Sequence, residues 1–181
     1  MSDQPIVLRF VTSSAWVSGV IRRGELGFWA SHVECLTPDG MLLGAHEDGF
    51  VRRPRNYDAG QWSRELYVTL PATPEQQAAF WAAVDALAGV PYDMEAIRAM
   101  AVGELTGVAT LADNARASLI CSAAMMVGLL ASGHAKSAPA SIRLTTPRDV
   151  LTVCAAHAAI GTPRKPGELA RVESAFDPFA A

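Results

Sequence analysis

The chain has 181 residues, of which 50% are apolar and 18% charged, and its formal net charge is −3. This composition is typical of a single globular domain covering residues 1–181, and it excludes a disordered chain. A weakly acidic chain without a long lysine or arginine run lacks the positive face that nucleic acids need, and its longest apolar run, 119–131, is shorter than the ~20 residues of a membrane-spanning helix.

The N-terminal residues and the number of cysteines indicate the cellular compartment of the protein. Asp3 and Pro5 stand where a secretory signal peptide has positive charge followed by an apolar core. We therefore expect the protein to stay in the cytoplasm unless a separate lysis or secretion system delivers it. Three cysteines do not make the even framework of a secreted, disulfide-bonded domain, so at least one thiol is either buried and inert or used in chemistry.

The first part of the chain carries strand signals. Residues 6–11, 31–36, 41–45 and 65–70 are apolar or alternating runs separated by turn residues. Between the second and third runs, the sequence Thr-Pro-Asp-Gly at 37–40 predicts a hairpin turn.

Helix signals follow. Thr73, with Pro74 and Gln76 after it, predicts a helix that begins with a capping box and ends at Gly89. The pair Thr146-Pro147 predicts the start of another helix in the same way.

Residues 113–133, between these two helices, are rich in Ala, Leu and Met and predict a third helix, with Ser118 as the N-cap of its buried part. Cys121 would then lie in the first turn, where free backbone N–H groups and the helix dipole stabilise a thiolate. Residues 161–181 predict a loop-rich tail. A strand-rich half followed by a helix-rich half predicts an α+β fold.

His32 and Glu34 are the strongest local signal for chemistry. Side chains two positions apart on a strand point to the same face, so an imidazole and a carboxylate can be neighbours here, whereas Cys35 points to the opposite face. A histidine oriented by a carboxylate is the general base that a nucleophile needs, and Cys121 is the candidate nucleophile.

Four short motifs occur in the order seen in one known superfamily. They are Ser31-His32-Val33, Gly89-Val90-Pro91-Tyr92-Asp93, Ile120-Cys121-Ser122 and Thr146-Pro147-Arg148-Asp149-Val150. In these motifs the chain resembles the circularly permuted branch of the NlpC-type papain-fold superfamily, which includes YiiX-like proteins and the relatives of lecithin:retinol acyltransferase. In that branch the histidine strand precedes the cysteine helix, the reverse of the order in papain.

The resemblance implies a papain-like fold, with an antiparallel sheet packed against helices, and a role for each matching residue. Cys121 would attack a carbonyl carbon, and His32 would take up the thiol proton and later give it to the leaving group. Tyr92 would line the cleft and, with the Cys121 backbone N–H, stabilise the oxyanion.

The chain departs from the family pattern at two positions. Gly44 stands where the family has a third polar residue. We expect Glu34 to reach into the space that this glycine leaves open, and His46 is the alternative orienting residue. Ala123 stands where many YiiX-like members have glutamate, which bears on substrate binding and on whether the site is active.

Two spacings superficially resemble zinc ligands, namely His32 with Cys35 and Cys154 with His157. Residues three apart on a strand face opposite sides, and Cys154 falls on the apolar face of its predicted helix. We therefore expect neither a metal nor an organic cofactor.

These features predict a thiol hydrolase that cleaves an amide bond in a peptide or an acyl small molecule. By analogy with the family, the substrate would be a peptidoglycan fragment. One alternative is an acyltransferase or lipid-ester hydrolase of the same fold, in which the pair Met125-Met126 contacts an acyl chain. The other is a catalytically inactive, phage-type binding or assembly protein, which Gly44 and Ala123 favour.

Overall fold

The structure is a computed structural model that describes residues 5–13, 19, 22, 27–98, 120–137 and 141–166. Its strands are β1 (Ile6–Ser13), β2 (His32–Leu36), β3 (Leu42–His46), β4 (Gly49–Arg53) and β5 (Trp62–Leu70). They form one antiparallel sheet in the order β4-β3-β2-β1-β5. The four predicted runs are all strands, whereas β4 was not predicted because its two arginines conceal the apolar pattern.

The described helices are α1 (Pro74–Asp85), α2 (Cys121–Ala131) and α3 (Pro147–Ala155), together with a 3₁₀ turn at Ile142–Leu144 and helical residues 94–98. With the sheet they make an α+β fold, as the sequence predicts. Within the described residues, none of the helices has the length and apolar character needed to cross a membrane.

Helices α1 and α3 begin as predicted. The side chains of Thr73 and Thr146 each accept a hydrogen bond from the third backbone amide of the helix, and Gln76 and Asp149 each accept one from the cap residue's own amide. These reciprocal bonds satisfy amides that would otherwise have no partner inside the helix. Each capping box is followed by proline, whose missing N–H costs nothing at the first helical position.

Two helix boundaries differ from the prediction. Helix α1 ends at Asp85 rather than at Gly89. The N-cap of α2 is Ile120, which makes no side-chain cap hydrogen bond, and the predicted cap Ser118 lies outside the described residues. Cys121 nevertheless lies in the first helical turn, as expected.

The two faces of the sheet differ in chemistry because side chains alternate along each strand. The face toward the helices is apolar and contributes Ile6, Leu8, Phe10, Val33, Cys35, Leu43, Val68 and Leu70 to the main core. On the opposite face, the β1–β2 register pairs Arg9 with Glu34. We call this second side the polar face.

Helix α2 packs very closely on α1 through Gly128. A Cβ at this position would lie 2.6 Å from a ring carbon of Phe80 and 2.7 Å from a methyl of Val84, so any side chain here would overlap α1. Met125 and Met126 of α2 are also fully buried in the core. The helix that carries Cys121 is thus held on several sides by close-packed contacts.

Part of the predicted C-terminal tail contacts the sheet. Glu65 in β5 and Arg164 exchange two backbone hydrogen bonds of 2.9 and 2.7 Å, which ties residues 161–166 to the edge strand. Residues 167–181 lie outside the described residues.

Candidate active site

Cys121 and His32 meet where α2 begins beside β2. Cys121 is 2% exposed, and its sulfur is hydrogen-bonded to the His32 side chain and to backbone groups of Val33 and Ser122. The register between β2 and β3 contains two residue pairs, both toward the C-terminal end of β2. The sulfur therefore meets β2 at Val33, before the first of these register pairs.

Each member of this pair changes the pKa of the other. Burial alone would raise the pKa of the Cys121 thiol, but the charge and the hydrogen bond of His32 bring it below its ordinary value. Burial alone would lower the pKa of His32, but the Cys121 thiolate, with help from Glu34, raises it to about 10. The arrangement favours a thiolate–imidazolium ion pair at neutral pH.

The other two cysteines are ordinary core residues. Cys35 faces the apolar core, as predicted, and its thiol donates to the Leu43 carbonyl at 3.5 Å. Burial raises the pKa of Cys35 well above its ordinary value and raises the pKa of Cys154 to about 12. Both thiols are therefore protonated at neutral pH and poor nucleophiles.

Glu34 lies next to His32 on the polar face and is fully buried. Its Oε2 is 3.5 Å from His32 Nε2, which leaves Nδ1 as the ring nitrogen for the thiol. Burial opposes ionisation of Glu34, but the nearby His32 imidazolium, together with Arg9, lowers its pKa to about 2. A permanent carboxylate thus faces the imidazole.

Arg9 holds this carboxylate and is a residue of the site that no motif indicated. It is 1% exposed, and its Nη1 donates to Glu34 Oε1 at 2.6 Å. Its Nη2 donates to Asp58 at 3.0 Å, and its Nε donates to Glu65. The available sequence signal was a charged residue in the middle of the apolar run of β1, because such a residue is buried only when it is paired.

His46 reaches the same carboxylate from β3. The strand continues to residue 46, so this imidazole shares the polar face, and its Nε2 is 3.6 Å from Glu34 Oε2. The rings of His46 and His32 are 4.9 Å apart between centroids. Burial, together with the His32 charge, lowers the pKa of His46 to about 3 and keeps it neutral. Both predicted candidates for the orienting residue therefore lie beside His32.

The two departures from the family pattern have clear structural surroundings. A Cβ at residue 44 would lie 2.8 Å from Glu34 Cβ, so Gly44 provides the space that Glu34 occupies. Ala123 is fully buried in a small apolar cluster with Ile97 and Ile120. Position 123 serves packing in this chain.

Replacing Gly44 with alanine is expected to lower the free energy of unfolding by about 1–3 kcal/mol, because the new methyl group overlaps a Cβ that cannot swing away. Urea denaturation measures the change. Gly161→Ala is the matched control, since a Cβ there meets Leu66 at an ordinary 3.6 Å. A loss in Gly44→Ala no larger than in the control would contradict the close approach of Glu34.

Tyr92 lines the same cleft as His32. A hydrogen bond of 3.1 Å from the Phe50 amide to the Val90 carbonyl ties the segment before Tyr92 to β4. Burial and the nearby Cys121 charge raise the pKa of Tyr92, so its hydroxyl stays protonated and can donate a hydrogen bond.

The cleft itself has a volume of about 570 Å³, and polar and apolar atoms contribute similar shares of its lining. Besides His32, His46, Tyr57 and Tyr92, it is lined by the charged residues Glu47, Asp48, Arg53 and Asp58. Such a lining suits a substrate that has both charged or polar groups and apolar groups.

In the described part of the chain, neither zinc-like spacing brings its two residues to one point. His32 and Cys35 belong to opposite faces of β2, as predicted. Cys154 is in the core, while His157 Nε2 donates to the His134 carbonyl at 2.7 Å.

Comparison with known proteins does not assign this chain to a family: no protein-family model matches it, and no curated protein matches its sequence. The fold and the site define an α+β chain with a five-stranded antiparallel sheet, in which a helix N-terminus presents a cysteine to a histidine of a strand.

Proposed function

We propose that the chain is a cysteine-dependent hydrolase with a permuted papain-like fold, which cleaves an amide bond in peptides of the bacterial cell-wall type. The observation that carries the proposal is the hydrogen-bonded pair of Cys121 and His32, whose pKa values move in opposite directions. His32 lines the cleft and Cys121 lies buried behind it, and perturbed pKa values in such a place are typical of catalytic groups. The substrate class comes from the family resemblance.

The reaction begins when the Cys121 thiolate attacks the amide carbonyl carbon. The oxyanion that forms is stabilised by the Cys121 backbone N–H and the Tyr92 hydroxyl. The C–N bond then breaks, and the His32 imidazolium gives its Nδ1 proton to the leaving amine, which leaves a thioester on Cys121. His32 next takes a proton from water, the hydroxide attacks the thioester, and a carboxylic acid leaves as the thiolate returns.

Glu34 is the orienting residue in this proposal. A buried carboxylate 3.5 Å from Nε2 fixes the ring and stabilises the imidazolium that alternates with neutral histidine during turnover. Arg9 and Tyr57 hold the carboxylate in turn, at 2.6 and 3.3 Å. The space over Gly44 is thus occupied by a functional side chain, which answers one feature that favours an inactive relative.

The cleft lining supports a peptide over an acyl chain as the substrate. Met125 and Met126, which would suit an acyl chain, are fully buried in the core. Peptide amides and carboxylates find partners among the charged residues of the cleft rim.

Alkylation with iodoacetamide from about pH 5 to about pH 9, followed by mapping of the modified cysteine, tests the proposed nucleophile. We expect fast and selective modification of Cys121 below about pH 7, because only a thiolate reacts at an appreciable rate. Cys35 and Cys154 are internal controls whose pKa values are raised. Slow and equal modification of all three cysteines would contradict the proposal.

The substrate class is tested separately. Incubation with peptidoglycan fragments should release a new amine and a new carboxyl group, and Cys121→Ala should abolish the release. Phospholipids and acyl esters are the comparison substrates. Turnover of these lipids alone would replace the amidase proposal with the lipid-hydrolase alternative.

A further inference from the structure

Two buried imidazole nitrogens of the polar face have no hydrogen-bond partner within the described residues. They are His32 Nε2 and His46 Nε2. Both point at one oxygen, Glu34 Oε2, from 3.5 and 3.6 Å. Buried polar atoms normally have partners, so two such atoms directed at one carboxylate oxygen call for a physical reason.

We propose that His32 Nε2, His46 Nε2 and Glu34 Oε2 form a binding site for Zn²⁺. The three atoms all lie within 4.8 Å of one another. Ligand bonds of ~2.0–2.1 Å in a tetrahedral zinc site place neighbouring ligand atoms ~3.3 Å apart, so the observed separations need only small adjustments. Two imidazoles and one carboxylate are a donor set that zinc takes readily.

The surroundings of the three atoms support a cation site. Arg9 donates to Glu34 Oε1 at 2.6 Å, which directs Oε2 toward the imidazoles. Such outer hydrogen bonds fix the orientation of metal ligands. The three ligand atoms are buried, but the side chains of His32 and His46 line the cleft, and the Tyr57 hydroxyl lies 3.3 Å from Glu34 Oε2 as a further oxygen beside the site. Of the acidic residues in the cleft lining, Asp48 is paired with Arg53 at 2.8 Å, and Glu47 adds a further negative charge that favours a cation.

A zinc ion in this site would inhibit the proposed hydrolase. This inhibition rests on the proposed function, but the binding of zinc itself does not depend on it. Zinc takes the place of the Nε2 proton of His32, so His32 can no longer be an imidazolium. A neutral, metal-bound imidazole holds its Nδ1 proton more tightly than an imidazolium does, and it cannot protonate the leaving amine. The ion would thus act as a reversible inhibitor.

Zinc binding is measured on the Cys121→Ala chain, in which no active-site thiol can serve as a ligand, by competition with a chromophoric chelator. We expect one equivalent of Zn²⁺, and at least about 100-fold weaker binding when His46→Asn is added, because even loss of an outer partner costs 10–100-fold. His157→Asn, a change at an exposed histidine outside the cleft, is the matched control and should leave the affinity unchanged. X-ray absorption at the zinc edge should show two imidazole ligands and no sulfur.

Three results would overturn the proposal. The first is that the Cys121→Ala chain binds no Zn²⁺. The second is that adding His46→Asn leaves the affinity for Zn²⁺ unchanged. The third is a zinc-edge spectrum that shows fewer than two imidazole ligands. The spectrum is recorded on a chain with an intact His46, so the test does not depend on the folding of His46→Asn. If zinc binds as expected but no peptide is hydrolysed, the proposed function fails and the metal site stands. If hydrolysis occurs and the His46-dependent binding does not, the metal site alone fails.

Discussion

Replacing His32 with alanine is expected to end the selective alkylation of Cys121 below about pH 7. Without the imidazolium, burial is the main remaining influence on the thiol, and burial raises its pKa. Even a thiol with an ordinary pKa of ~8.5 is only about 1 part in 300 thiolate at pH 6. We therefore expect the alkylation rate at pH 6 to fall by about 100-fold or more.

The pH dependence of the alkylation rate follows from the lowered pKa of Cys121 and the raised pKa of His32. In the native chain the ion pair exists above the lowered pKa of Cys121 and below the His32 pKa of about 10, so the alkylation rate should change little across the neutral range. In His32→Ala it should rise about tenfold per pH unit, as the thiolate fraction does. His157→Ala, at an exposed histidine, is the control and should behave as the native chain. An unchanged profile in His32→Ala would contradict the ion pair.

Replacing Arg9 with methionine is expected to lower the free energy of unfolding at pH 7 by about 3–5 kcal/mol. Arg9 is the shared partner of Glu34, Asp58 and Glu65, so the change removes the guanidinium from three buried carboxylates, of which Glu34 keeps His32 at 3.5 Å. Urea denaturation monitored by circular dichroism measures the loss. Arg52→Met is the matched control, because Arg52 is half exposed and its pair with Asp39 spans 3.4 Å. Exposed pairs contribute about 0–1 kcal/mol.

The effect of Arg9→Met should shrink as the pH falls. In the native chain the pKa of Glu34 is lowered to about 2, so its ionised form contributes stability that is present above the ordinary value and lost as pH falls toward 2. In the variant the carboxylates that have lost the Arg9 guanidinium take up protons more readily, which relieves the penalty in acid. Unfolding at about pH 7 and about pH 4.5 should therefore give a smaller difference at the lower pH. A difference that grows in acid would contradict this account of the cluster.

Local signals were sufficient for most of the fold. Capping boxes at Thr73 and Thr146 depend on residues three positions apart, so they can be read from a short window, and both are present. The strand Gly49–Arg53 was missed because its burial depends on pairing with β3, which no local pattern reports. The start of α2 was misjudged for a related reason, since Ile120 is an N-cap without a capping side chain.

The sequence predicts only those contacts of the site that follow from the alternation of side chains along a strand. His32 and Glu34 share a face because they are two positions apart, and Gly44 and His46 join them because β3 keeps its alternation to residue 46. The Arg9 cluster joins β1 and β5 with the turn that carries Asp58, so its partners are remote in sequence. Such contacts come from the sheet order, which no single segment encodes.

The close contact at Gly128 has a consequence for how remote changes would be interpreted. Gly128 lies seven positions after Cys121 on the same helix, or ~10 Å along its axis at 1.5 Å per residue, and a Cβ at Gly128 would overlap the Phe80 ring. A rigid helix transmits a displacement at one point to its far end. A bulkier residue at position 128, or a different ring at position 80, would therefore shift the sulfur relative to His32 while every cleft side chain kept its identity, and a packing substitution would then show the kinetics of an active-site substitution.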